Sequence, residues 1–204
     1  MTATGSVLET PFDRLLAESV RLHGHLCAGQ VLGVRLSMLG LRLLDINDPK
    51  GEDRKRFMVF VEIDRCATDA IQSVTGCSLG KRSLRWVDYG IMAATFVRLD
   101  TGQAYRIVAR EDARERAKEY FPEIQDRHEQ QLEAYKRMAD EELFAVQEVR
   151  VDVAKSDLPG RPLKRVRCER CGDYVQDCRD EVREGRVLCR ACVHGAYYQR
   201  VEAS

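Results

Sequence analysis

The sequence carries no excess of either charge, with 33 basic and 33 acidic side chains among its 204 residues. No strong overall field therefore draws it to nucleic acid or to an anionic membrane surface. Long apolar runs are missing as well. The longest, residues 31–44, is interrupted by Arg35, Ser37 and Arg42 and falls short of the roughly 20 residues that span a bilayer. Residues 1–12 include acidic Glu9 and lack both the basic cluster and the apolar segment of a secretory signal. A cytoplasmic protein without a membrane anchor is expected. Tandem repeats of the kind that build solenoids or propellers are absent too.

What is present is a core-forming chain. Hydrophobic residues make up 44% and charged residues 32%, and the length suffices for one main domain with a smaller appendage. The eight cysteines do not read as an extracellular disulfide scaffold, which would be shorter and more densely bridged. Four of them sit at metal-ligand spacing, and a reducing compartment keeps such residues as thiolates.

Periodicity predicts an α+β fold, a mainly antiparallel sheet packed with helices. A helix starts at Thr10-Pro11-Phe12-Asp13, with Thr10 as cap and Pro11 at the first helical position, and runs to about Leu22. Residues 30–44 form a second helix, apolar on most sides, with Arg35 and Arg42 on a narrow outer strip. Gly29, Gly33 and Gly40 allow another backbone to approach it closely. Residues 57–64 read as an inner strand, and Thr68 caps a short helix over 69–74 that Gly76 closes. Residues 84–88 and 91–99 read as strands, and Asp100-Thr101-Gly102 turns the chain into 103–109, suggesting an antiparallel hairpin. Pro122 separates helices over 111–120 and 123–142. The second of these has Ile124, Leu132, Tyr135 and Met138 at helical spacing, a seam suited to the core or to a homodimer, and His128 there is a weak ligand candidate. A strand over 144–153 closes the sheet. Residues 156–162, with Pro159, Gly160 and Pro162, mark the boundary between a domain of residues 1–155 and a module of residues 156–204.

In that module Cys168-x-x-Cys171 and Cys189-x-x-Cys192 form two knuckles at the spacing of a structural zinc site. So short a segment can hardly fold on hydrophobic burial alone, and the metal replaces the missing core. Four thiolates complete a closed site, which leaves Cys178 and His194 as bystanders. Residues 154–204 hold 11 basic against 8 acidic side chains. A zinc tetrathiolate contributes about −2 of its own, so the net of about +1 is too small for nonspecific DNA binding. A structural or docking role fits better.

The first domain has its own cluster. His23, His25 and Cys27 share one turn, and Cys66 and Cys77 flank a ten-residue segment. A centre gathered from two distant turns is how catalytic metal sites with an open position are often assembled. The plainer alternative makes Cys66 and Cys77 small buried residues and His23 and His25 helix-end caps. Residues 76–81, Gly-Cys-Ser-Leu-Gly-Lys, are one residue short of a phosphate-binding loop, and Arg82 stands where Ser or Thr should follow. Nucleotide hydrolysis is rejected, although Lys81, Arg82 and Arg85 suit an anionic ligand or an ordinary solvated face.

The segments HGHLCAGQVLG and DRCATDAIQSVTGCSLGKRSLRWVDYG resemble the FmdE family of formylmethanofuran dehydrogenase proteins, whose members often carry a zinc-ribbon tail. The family's turn usually reads His-Gly-His-x-Cys-Pro-Gly, and Ala28 stands here in place of the proline. The resemblance implies an α+β domain associated with a molybdenum or tungsten enzyme. It also implies a metal or reactive centre at His25, Cys27, Cys66 and Cys77, with His23 beside it and Asp69 orienting a histidine or moving a proton. His23, Cys27 and Asp69 are then the candidate catalytic groups. A histidine and cysteine donor set suits zinc or iron better than magnesium. The function this implies is a metal-binding protein, either a metal-dependent enzyme or an accessory component of one, acting on or delivering a small-molecule ligand. The rival is a noncatalytic adaptor whose zinc module docks a protein or nucleic-acid partner.

Overall fold

In the computed structural model residues 7–201 are described, so the first half of the N-terminal stretch considered above lies outside the described residues. The chain divides into two compact units, with the division between Asp152 and Val153. Among the described residues no helix is long and apolar enough to cross a membrane.

The first unit is built around helix α2 (Ala28–Leu43). Val31, Val34, Leu36 and Leu41 are essentially inaccessible to solvent, and burying each such side chain is worth roughly 1.5–3 kcal/mol. Two glycines bring helix α3 (Cys66–Thr75) onto it. A Cβ at Gly33 would stand 2.6 Å from the Ala67 carbonyl oxygen and from the Ala70 Cβ, and one at Gly29 would stand 2.9 Å from the Cys66 Cβ. Gly40 accepts the Phe96 ring in the same way. Helix α1 (Phe12–His23) completes the group and ends on Gly24 in the left-handed conformation.

These helices pack on a sheet ordered β2-β1-β3-β4-β5, formed by Phe57–Val61 (β1), Leu84–Trp86 (β2), Ala93–Arg98 (β3), Ala104–Ala109 (β4) and Phe144–Val149 (β5). Three of the four pairings are antiparallel. β3 and β4 make the expected hairpin, with Gly102 at positive φ in its turn. β2 differs from a hairpin partner: it is short and runs parallel to β1, because α3 is a crossover that returns the chain in its original direction.

The long helix expected over 123–142 is two pieces, α5 (Arg127–Arg137) and α6 (Asp140–Leu143), following α4 (Ala113–Tyr120). Arg35 explains the break. Rather than lying on an outer strip, its guanidinium donates to the carbonyls of Tyr135 at 3.1 Å and Met138 at 2.9 Å, and to Asp140 Oδ1 at 2.7 Å. The carbonyls at the end of α5 are thereby satisfied without continuing the helix. Ala134, Tyr135 and Met138 are buried in the domain's own core, whereas His128 is exposed.

The second unit consists of two hairpins, β6 (Arg165–Arg167) with β7 (Tyr174–Gln176) and β8 (Asp180–Arg183) with β9 (Arg186–Cys189), followed by the short helix α7 (Arg190–His194). Glu184 and Gly185 both take positive φ in the β8–β9 turn, the arrangement that suits two-residue hairpins.

Candidate metal centres

In the second unit each Cys-x-x-Cys pair is placed by backbone amides. Cys189 N–H donates to the Cys168 sulfur at 3.2 Å and Cys192 N–H to the Cys189 sulfur at 3.4 Å. The sulfurs of Cys168, Cys171, Cys189 and Cys192 all lie within 4.8 Å of one another, close enough for one tetrahedral ion. Amides of Cys171 and Cys189 hold the Cys168 thiol down at about 6. The Asp173 amide pulls Cys171 down too, but burial and the neighbouring thiols outweigh it and push Cys171 up to about 12. Thiolates this close repel one another, and a bound cation would offset that repulsion. Cys178 is exposed in a turn at positive φ, and His194 is hydrogen-bonded to Glu181 at 2.7 Å. Neither belongs to the sulfur cluster.

The first unit assembles its cluster where three helix ends meet. His23 is the last residue of α1, Cys27 immediately precedes α2 and Cys66 opens α3. Gly24 lets the chain reverse, and donor atoms of His23, His25 and Cys27 fall within 4.8 Å of one another. The two imidazole rings are 4.5 Å apart between centroids. The N-termini of α2 and α3 and the C-terminus of α1 meet at this point, so the positive ends of two helix dipoles and the negative end of a third converge there.

Asp69, one turn into α3, accepts a hydrogen bond from His23 Nδ1 at 2.8 Å. A carboxylate can only accept, so Nδ1 carries the proton, and in the neutral imidazole the lone pair is then on Nε2. That Nε2 is buried and has no hydrogen-bond partner. Burial pushes the Cys66 thiol up, and the adjoining Cys27 thiol adds to the effect through a hydrogen bond and its charge.

The structure thus gathers His23, His25 and Cys27, sets Cys66 against Cys27 and places Asp69 behind His23. Cys77 is not brought in. It follows α3 at the opposite end, roughly 15 Å along the helix from Cys66, and is buried in the core with Thr75 and Ser83 as hydrogen-bonding neighbours. The loop resembling a phosphate site is closed by its own groups, with Lys81 Nζ donating to the Gly76 carbonyl at 2.9 Å and Ser78 N–H to Ser83 Oγ at 3.2 Å. Two residues that sequence reasoning passed over lie beneath the cluster. Ser19 and Gln30 are fully buried and hydrogen-bonded to each other, and neither motif nor periodicity distinguishes them.

The fold and the donor clusters define a class, an α+β domain linked to a four-cysteine unit that fits a zinc ribbon. A family model described as "FmdE, Molybdenum formylmethanofuran dehydrogenase operon" matches residues 22–150. The chain belongs to the FmdE family. It is similar to a tungsten formylmethanofuran dehydrogenase FmdE-like protein from Syntrophus aciditrophicus, with a TM-score of 0.63 at 21% identity, covering 98% of this chain and 100% of that one. That likeness concerns the fold. A curated relative from Archaeoglobus fulgidus, named "Probable S-adenosyl-L-methionine-binding protein", is 32% identical across 93% of this chain. The chain spans 55% of that relative's length.

Proposed function

We propose that the first domain binds a metal ion through His23, His25 and Cys27, with Cys66 as a fourth donor or as the neighbour of an open position, and that this centre acts on or delivers a small ligand. The observation that carries the proposal is the His23 side chain, whose Nδ1 is held by Asp69 while its buried Nε2 lacks a partner beside two further donors. A carboxylate behind a histidine is the usual outer support of a metal-binding imidazole. The histidine and cysteine donors suit zinc or ferrous iron, and such an ion, when bound, supplies a Lewis acid. His23 takes the place among the donors that the resemblance had given to Cys77. The ribbon would hold a structural zinc ion through Cys168, Cys171, Cys189 and Cys192.

Metal analysis of the full chain tests this reading. Two equivalents are expected in the native protein and one in a folded Cys27→Ala variant; one equivalent in both would sink it. The name of the Archaeoglobus relative makes S-adenosyl-L-methionine the first small molecule to titrate. Leu163, Tyr174, Val182 and Tyr197 are exposed in the second unit, and they support a second reading in which the ribbon docks a partner protein. In that case Tyr197→Ser would weaken partner capture and leave the first-domain metal untouched.

A further inference from the structure

Gln30 lies in the first turn of α2 and is completely buried. Its side chain reaches two other helices. The hydroxyl of Ser19 on α1 donates to Gln30 Oε1, and Gln30 Nε2 donates to the backbone carbonyl of Cys66 at 2.5 Å. Each contact lies close to the cluster. Ser19 is four residues before His23 and therefore on the same side of α1, while Gln30 is three residues after Cys27. On either side of Gln30, Gly29 and Gly33 let α3 approach α2 so closely that an added Cβ would collide with Cys66 or Ala67.

A leucine or methionine would fill this interior position without an amide to desolvate. Both polar ends of Gln30 are satisfied, so the cost of burial is largely offset, but a net gain in stability over an apolar residue is not expected. What the amide adds is direction, because its oxygen and nitrogen admit only one arrangement of α1 and α3 around α2. The same arrangement puts the Cys66 thiol against Cys27 and Asp69 against His23.

We propose that Gln30 is the positioning residue of the first-domain centre, tying Cys66 to Ser19 and so fixing Cys66 relative to Cys27 and His23. The inference rests on the metal reading for its affinity readout and on thiol geometry alone for its second readout. Gln30→Met keeps the side-chain length and removes both hydrogen bonds. In the full-length protein it should leave circular dichroism and the ribbon's zinc unchanged while lowering metal affinity outside the ribbon roughly 10- to 100-fold, as loss of an outer support does. In metal-free protein, bridging of Cys27 to Cys66 by dibromobimane, mapped by peptide mass, should fall severalfold.

Ser19→Ala frees one end of the amide and should move both readouts in the same direction by less. A folded Gln30→Met protein with native bridging and native affinity overturns the proposal. Should that variant fail to fold, Ser19→Ala decides, and unchanged bridging there overturns it equally. If the native protein takes up no metal outside the ribbon, the metal reading fails, yet the bridging result still settles the role of Gln30.

Discussion

His23 Nδ1 lies 2.8 Å from Asp69 Oδ2, joining the last residue of α1 to the first turn of α3 across 46 positions of sequence. The Asp69 side chain is 43% exposed, so the pair itself contributes no more than about 1 kcal/mol to folding. Its consequence should appear in metal binding. Asp69→Ala leaves the imidazole free to rotate and to change tautomer, and first-domain metal affinity should drop roughly 10- to 100-fold. The thermal midpoint of metal-free protein should barely move. Competition with a chromogenic chelator checks the first expectation and a thermal melt the second; a large loss of stability with native affinity would assign Asp69 to the fold instead.

Gly33→Ala tests the helix contact beneath the centre. Alanine is the better helix former by about 1 kcal/mol, but its Cβ would meet a backbone oxygen and another Cβ at 2.6 Å, and overpacking of this kind costs about 1–3 kcal/mol. Overpacking should win. Urea denaturation should show a lower midpoint for Gly33→Ala, whereas Gly80→Ala, with nothing within 4 Å of the new Cβ, should not be destabilised by contact.

Acid sensitivity should come in part from Asp53. Burial pushes this carboxyl up, but the amides of Asp48 and Asn47 and the guanidinium of Arg56 outweigh it, and the net shift is downward. A carboxylate whose folded pKa lies below its unfolded one contributes stability that is complete above the unfolded value of about 3.9 and is lost as pH falls through the folded value. Asp53→Asn should therefore be less stable than the native protein at neutral pH, with the difference shrinking below about pH 4. Equal stability differences at pH 7 and pH 3 would contradict this.

In the second unit, Cys171→Ser removes one of four converging sulfurs. The ribbon has few buried apolar side chains beyond Cys168 and Leu188, so loss of the ion should unfold it. Limited proteolysis should then cut within residues 165–194 while residues 7–152 stay protected. Retained metal and an uncut tail would overturn the ribbon assignment.

The legible parts of the molecule were those whose determinants are local. Each cysteine knuckle occupies four positions, and His23, His25 and Cys27 occupy five, so spacing alone brings their donors together. The family resemblance alone pointed to Cys66, which lies against Cys27, and to Asp69, which is hydrogen-bonded to His23. Cys77 was misplaced because its distance from Cys66 depends on α3 being one unbroken helix from Cys66 to Thr75. The parallel pairing of β2 and the end of α5 depend on a crossover and on Arg35, about a hundred residues from the carbonyls it binds. No window of sequence contains both partners. Gln30 stayed hidden for a related reason, since a polar residue at the start of an apolar helix reads as an exposed first turn until three helices close around it.

Anomalous diffraction from crystals grown with zinc or ferrous iron would locate the ions in both units. Two peaks per chain are expected, one within about 2.3 Å of the four ribbon sulfurs and one within about 2.0–2.1 Å of His23 Nε2, with His25 and Cys27 on the same ion. A single peak in the ribbon, with His23 Nε2 turned to a water or to a protein acceptor, would contradict the first-domain metal site.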